Sequence, residues 1–408
     1  GFMSAILMMT GPPHVVVATA LLVFLNWALL VTLVWRITCY WSGPLAAAFA
    51  LLLLAASPLT VTLTGDLMVE TLLSALLVLS LHCLLLLLQK PRVVIAIGLG
   101  ICLGLGMLTK LSFAMFMALP ILLALYWHLR RMSGMKSLSI PLVTAGTSLT
   151  LMLPWYSQNI SNAIAHGRAA SSFHLLTGLQ PPTWWERIIE VCAQVPGWPT
   201  CLLLLILAIY LWGRRHDPPI RPIRPIRQGF PVCALISVAA VAPTITMFVS
   251  PYFTARFLQP LWRLFAITLG GLLAVTWVRA STGFKVTSFL FLAIGISSSM
   301  VQLRFLDEGT IPWSLAHSID TVANQKQQLT ICNAGDTVYW NVYKLHAINE
   351  LRQLRNLAKI RQIDGQQPGD ECTLFTTDGT APDGTRWGRL QSMKTGSNSA
   401  VTVYRRAN

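Results

Sequence analysis

LMVETLLSALLVLSLHCLLLLL, residues 67–88, is the stretch from which the fold is read. It holds one acid, Glu70, near its start and one imidazole, His82, in its middle. An α-helix rises about 1.5 Å per residue, and a bilayer's hydrocarbon core is about 30 Å thick, so about 20 apolar residues cross it. The stretch has the length and composition of a membrane-spanning helix. Nine further stretches resemble it: 15–35, 44–63, 93–109, 111–127, 138–155, 198–212, 230–250, 257–278 and 284–303. The expected architecture is therefore an α-helical polytopic membrane protein with about ten transmembrane helices.

Composition agrees with that reading. Of 408 residues, 54% are apolar and 11% charged, whereas a soluble domain carries about 25% charged residues. Disordered, fibrous and ordinary soluble classes are excluded. The net charge of +15 would suggest nucleic acid in a soluble chain. Here it follows the loops instead. Alternate connections carry Arg36; Lys90 and Arg92; Arg130, Arg131 and Lys136; Arg214, Arg215, Arg221, Arg224 and Arg227; Arg279 and Lys285, against the single acid Asp217. The positive-inside rule makes these cytoplasmic. The N-terminal stretch, the 156–197 loop and the C-terminal tail are then expected outside. The charge excess reports topology and calls for no nucleic-acid partner.

After Leu306 the apolar runs stop, which divides the chain into a transmembrane domain, 1–306, and a small soluble α/β domain, 307–408, on the extracytoplasmic side. Strands are expected at 328–332, 372–376 and 400–404. A helix is expected at about 338–358, where Val342, Leu345, Ile348, Leu351 and Leu354 recur at helical spacing. Cys332 and Cys372 are the two cysteines of this domain, and an outer location permits a disulfide between them. No His and Cys spacing suits a metal. Gly100 and Gly104 form a Gly-x-x-x-Gly in an apolar run, which reads as helix packing.

Ionisable groups at the outer ends of spans are costly and are candidates for function. Asp66 and Glu70 stand four apart at the start of the third span, on one helix face. Lys110 lies between the fourth and fifth spans, and Arg256 at the start of the ninth. Tyr156, Asn159 and Arg168 belong to the outer loop that Pro154-Trp155-Tyr156 opens. Two carboxylates and two separated cations suit an anionic substrate that needs a general base: a phosphate would meet Lys110 and Arg256, and an acceptor hydroxyl or amine a carboxylate. Arg263 falls inside the ninth span.

At these residues the chain resembles the GT-C glycosyltransferases of the protein-mannosyltransferase and aminoarabinose-transferase type. The matching elements are Ser57-Pro58 followed by Asp66, Gly104 to Lys110 running into a span with Pro120, and Leu153-Pro154-Trp155-Tyr156. They continue with Pro181 to Trp185, Pro196 to Pro199, and Ala255-Arg256-Phe257-Leu258-Gln259-Pro260. The resemblance covers about residues 1–280. It implies a polyprenyl-phosphate sugar as donor, dolichyl or undecaprenyl, and transfer on the outer face to a lipid, glycan or protein acceptor, in a bacterial inner membrane. Within that family Asp66 and Glu70 are the candidate catalytic carboxylates, Lys110 and Arg256 hold the donor phosphate, and Tyr156, Asn159 and Arg168 line the acceptor side. Members of the family begin with a span and a large outer loop carrying the principal catalytic acid. Residues 1–14 are expected to be the end of that loop, and Asp66 matches a second, supporting acid. The rival expectations are a non-catalytic scaffold subunit with partner membrane subunits, and a lipid-linked glycan flippase. The flippase ranks last because the spans are almost uniformly apolar.

Overall fold

The computed structural model describes residues 15–62, 69–131, 136–171, 183–214, 229–250, 255–306, 330–334, 361–364, 374–377, 387–395 and 399–406. The described part of the chain up to residue 306 is helical: α1 (Val15–Ser42), α2 (Pro44–Ala55), α3 (Pro58–Thr62), α4 (Val69–Gln89), α5 (Val93–Thr109), α6 (Phe113–Arg131), α7 (Lys136–Ser171), α8 (Trp184–Gln194), α9 (Trp198–Gly213), α10 (Gly229–Val249), α11 (Gln259–Arg279) and α12 (Thr282–Leu306). A 3-10 turn, Ala255–Leu258, leads into α11.

The described residues of each of the ten apolar stretches are mostly helical, but they are not ten equal spans. Among the described residues six helices are long and apolar enough to cross a membrane: Leu21–Ser42, Glu70–Gln89, Phe113–Arg130, Leu138–Ser161, Ala255–Arg279 and Thr282–Val301. They make the chain a membrane protein. A seventh candidate is the pair α8 and α9, bent by 94° at its break. Helices α2, α5 and the Ala234–Thr246 part of α10 are apolar but shorter. Proline sets one of these limits. The residue before a proline is disfavoured in helix, and the 44–63 stretch accordingly breaks at Ser57, just before Pro58, into α2 and α3. Ser57 fills the break by donating its hydroxyl to the Val195 carbonyl and accepting from the Thr60 amide at 3.2 Å. The α8–α9 bend passes through Gly197, whose φ of 78° is open to glycine but strained for other residues.

One expectation about the outer loop is corrected. Pro154-Trp155-Tyr156 does not open a loop, because α7 runs on through it to Ser171. The apolar run ends near Leu153, but helix-compatible residues such as Ala163, Ala165, Ala169 and Ala170 continue.

α4 is the most enclosed of the six, with 67% of its apolar window buried. It packs on α5, α6 and α11, while α5 packs on α7, α2 on α11, and α6 on α10. Lipid tails are as apolar as leucine, so close packing holds such helices together more than escape from water does. Gly100 and Gly104 show how. A Cβ on Gly100 would stand 2.7 Å from the Thr144 carbonyl oxygen, and one on Gly104 would stand 3.0 Å from Leu151 Cβ. The expected Gly-x-x-x-Gly is thus the surface on which α7 approaches α5.

The chain divides into two units, one comprising Thr19–Val301 and the other carrying the sheet. The sheet holds β1 (Thr330–Ala334), β2 (Arg361–Asp364), β3 (Leu374–Thr377), β4 (Trp387–Thr395) and β5 (Ser399–Arg406), in the order β2-β1-β3-β5-β4. β1 pairs parallel with β2 and with β3, whereas β5 is antiparallel to β3 and β4. The three expected strands correspond to β1, β3 and β5, displaced by up to two residues. β2 and β4 are additional. The expected helix at about 338–358 lies outside the described residues, so the α/β assignment remains an expectation.

Candidate functional site

Glu70 stands in the first turn of α4 and is 3% exposed. Lys110 is the residue at which α5 ends, with an extended backbone (φ −162°, ψ 129°) that turns the chain out of the helix. The two meet: Lys110 Nζ donates to Glu70 Oε1 at 2.9 Å. The expectation gave these residues separate partners, a base's proton and a phosphate, and the structure pairs them with each other. The other carboxylate oxygen, Glu70 Oε2, is buried without a hydrogen-bond partner among the described residues.

Arg256 lies in the 3-10 turn before α11. Both cations come to the ring of its neighbour Phe257, with Lys110 Nζ 5.1 Å and Arg256 Cζ 5.8 Å from the ring centroid. Both distances are within cation–π range. The turn is held from α8. Thr183 and Glu186 form a reciprocal capping box that starts this helix. One face of α8 then reaches across, Arg187 Nη1 donating to the Ser250 carbonyl at 2.6 Å and Glu190 Oε1 accepting from the Ala255 amide at 2.9 Å. Arg256 is thereby presented beside Phe257 by a braced segment.

Tyr156 comes to the same region from α7, its hydroxyl donating to the Met107 carbonyl at 2.7 Å, three residues before Lys110. Asn159 does not join it, and its amide donates back to the Trp155 carbonyl of its own helix at 3.0 Å. Arg168 is on α7, but its side chain lies outside the described residues, as does Asp66 entirely. Cys332 sits on β1 in register with Phe375, and Cys372 lies outside the described residues. The structure therefore pairs Glu70 with Lys110, brings Lys110 and Arg256 to the same ring, ties Tyr156 to the carbonyl of Met107, and binds the Asn159 amide to its own helix.

The sequence reading assigned no role to the polar line behind Glu70. Arg263, in α11, is fully buried. Its Nη1 donates to Ser74 Oγ and to Gln259 Oε1, the latter at 2.9 Å. Ser74 in turn donates to the Glu70 carbonyl, and Gln259 Nε2 donates to the Leu59 carbonyl at 3.4 Å. Trp27 lies under the guanidinium, with its ring centroid 5.7 Å from Cζ. Arg263 Nε and Nη2 have no partner among the described residues. The signal was a lone arginine in an apolar span.

In chemical terms the described residues offer three cations, Lys110, Arg256 and Arg263, against the one carboxylate of Glu70. Arg187 and Glu190 add one charge of each sign. Of these, Lys110 and Arg256 both lie against the Phe257 ring, a pair of cations suited to a phosphate-bearing ligand.

Comparison with known proteins bears on the part of the chain that holds Glu70, Lys110 and Tyr156. Residues 2–157 match the family model of the dolichyl-phosphate-mannose-protein mannosyltransferases. The resemblance drawn from Ser57-Pro58, Gly104 to Lys110 and Pro154-Trp155-Tyr156 is to this family. No curated protein matches the chain. Among solved structures it is similar to ArnT from Cupriavidus metallidurans bound to undecaprenyl phosphate, at 18% identity and a TM-score of 0.45, covering 68% of this chain and 49% of that one. The same protein in its apo state gives 18% identity and a TM-score of 0.45, covering 67% and 48%. The chain thus spans about half the length of the solved structures it matches.

Proposed function

We propose that the protein is an integral membrane glycosyltransferase that takes a sugar from a polyprenyl-phosphate donor and passes it, on the outer face of the membrane, to a lipid, glycan or protein acceptor. The observation that carries the reading is the approach of Lys110 and Arg256 to the same Phe257 ring, with buried Glu70 against Lys110. The match of residues 2–157 to the mannosyltransferase family supports it.

In this reading the donor lies between helices with its polyprenyl tail in lipid and its phosphate at the two cations. An acceptor oxygen or nitrogen attacks the anomeric carbon and the bond to the phosphate oxygen breaks. The proton of the acceptor passes to a carboxylate, Asp66 with Glu70 in support, and the charge on the departing phosphate is met by Lys110 and Arg256. Tyr156, Asn159 and Arg168 belong to the acceptor side. Asn159 would have to leave its helix carbonyl to take part. Ten crossings, an α/β outer domain and a bacterial inner membrane are parts of the same proposal.

The closed Glu70–Lys110 pair also fits a second reading, a non-catalytic scaffold in which both groups are spent on each other. One assay separates the two. Purified full-length protein in lipid nanodiscs is given undecaprenyl-phosphate-linked sugar and membrane acceptors. The enzyme reading expects transfer that Lys110→Ala and Asp66→Asn each reduce, and unchanged transfer in both variants would defeat it.

A further inference from the structure

A helix on the surface of a water-soluble protein turns its apolar side to the core and its polar side out. α8 does the reverse. Trp185, Ile189 and Cys192 fall on one side of it, and Arg187 and Glu190 on the other. The polar side meets protein: Arg187 is buried and donates to the Ser250 carbonyl, and Glu190 accepts from the Ala255 amide. The apolar side is open, with Trp185 59% and Ile189 54% exposed. Trp184 stacks on Trp185, their ring centroids 3.7 Å apart, and is exposed as well. Water is a poor neighbour for such a face.

The next helix identifies a better one. Beyond the bend at Gly197, α9 exposes Trp198, Leu202, Leu205, Ile209 and Trp212. These recur every three or four residues and so form a single stripe. Its two tryptophans stand about 21 Å apart at 1.5 Å per residue, and Arg214 follows the second. Tryptophan collects at headgroup level at both membrane surfaces. α9 is thus the upright limb, with its stripe in lipid and Trp198 marking one surface. α8 leaves that end at 94°, so it runs along the surface. We propose that α8 is seated in the membrane surface, with Trp185 and Ile189 sunk into the boundary between headgroups and acyl chains. Lipid covers its exposed face, as it does for amphipathic helices that lie in the plane of the interface.

The polar side then carries that level to the site. Its two bonds, to the Ser250 carbonyl and the Ala255 amide, hold the chain immediately before Arg256. The depth of α8 in the membrane therefore sets the depth of the Arg256 cation, and the phosphate of a lipid lies at the same level. The crossing by α9 and the phosphate at Arg256 rest on the proposed function. The seating of α8 is measured directly, and the test separates the two.

A nitroxide label is attached to full-length protein in lipid nanodiscs at Cys192, the one cysteine kept of eight. In a cysteine-free background it is attached instead at Trp185→Cys or Ile189→Cys. Power-saturation electron paramagnetic resonance compares collisions with oxygen, which concentrates in lipid, and with a nickel chelate, which stays in water. All three labels are expected to favour oxygen and to lie at one depth just inside the headgroups, although residues 185 and 192 are about 10 Å apart along the helix. Labels that favour the chelate would put the face in water. Labels closed to both reagents would put it under protein, whether another part of this chain or a second copy. Depths about 10 Å apart would make α8 upright. Any of these three results overturns the proposal, and Cys192, being native, keeps the measurement possible if a substitution in α8 does not fold. The link to Arg256 has its own readout. Ile189→Glu, or the milder Trp185→Gln if that variant does not fold, should weaken undecaprenyl phosphate binding by about threefold or more, the size of a direct coupling. In the Arg256→Ala background the same change should have no further effect. No loss, or an equal loss in both backgrounds, overturns the link. A wild-type protein that binds no undecaprenyl phosphate counts against the donor assignment, while the label depths still decide where α8 lies.

Discussion

Lys110 owes its position to the place where α5 stops. The helix ends at Thr109 and the next residue is extended, so the lysine leaves the helix axis and reaches Glu70 across the packing seam of α4 and α5. Two consequences belong at this scale. In the proposed enzyme, Lys110→Ala removes a cation from the phosphate and should cost about 1.5–3 kcal/mol of donor binding, the range for hydrogen bonds to charged groups, read by titrating undecaprenyl phosphate into nanodiscs. Glu70→Gln should act differently, leaving that binding intact because Lys110 is released, and lowering turnover if the carboxylate assists the acceptor. Turnover and binding that fall together in this variant would contradict the division of roles. The residues themselves could be read from the sequence, because a charge at the end of an apolar run stands out. Their pairing could not, since forty positions separate Glu70 from Lys110. Nor could the setting of Arg263, whose partner Ser74 is 189 residues away.

At the scale of elements, glycine decides how closely α5 and α7 approach. Placing a side chain at Gly100 would drive a carbon to 2.7 Å from backbone and side-chain atoms of α7. Gly100→Leu is therefore expected to separate the helices and to lower stability by at least the about 1–3 kcal/mol of an overpacked core, measured as a fall in the melting temperature of the purified protein. An unchanged melting temperature would show that α7 does not pack there. Tyr156, which bridges the same pair, should lose its contact with the Met107 carbonyl in that variant. The helices were largely legible because apolar runs mark them. The length of α7 was not, since its apolar character ends near Leu153 while its helix continues to Ser171. The bend at Gly197 and the bracing of the 3-10 turn by α8 depend on contacts distant in sequence, and no local pattern announces them. β2 and β4 were missed for a related reason: short strands take their pairing from neighbours, and the Arg361–Asp364 segment has little β-branched or aromatic character of its own.

The whole molecule carries its charge asymmetrically, and that asymmetry makes the topology testable. Cysteines introduced singly at Arg131, Arg214 and Lys326 in a cysteine-free background should divide under a membrane-impermeant thiol reagent. The first two are expected to react from the cytoplasmic side and the third from outside, and a reversed pattern would move the proposed chemistry to the other face. The approach of Lys110 and Arg256 to one aromatic ring and the bracing of the Arg256 turn by α8 both serve one claim, that a lipid-linked phosphate is held by Lys110 and Arg256. Undecaprenyl phosphate binding to the full-length protein, compared with Lys110→Ala, Arg256→Ala and their combination, tests it most directly. The account predicts tight binding that each substitution weakens and the pair abolishes. Binding that survives the double substitution at wild-type strength would contradict it.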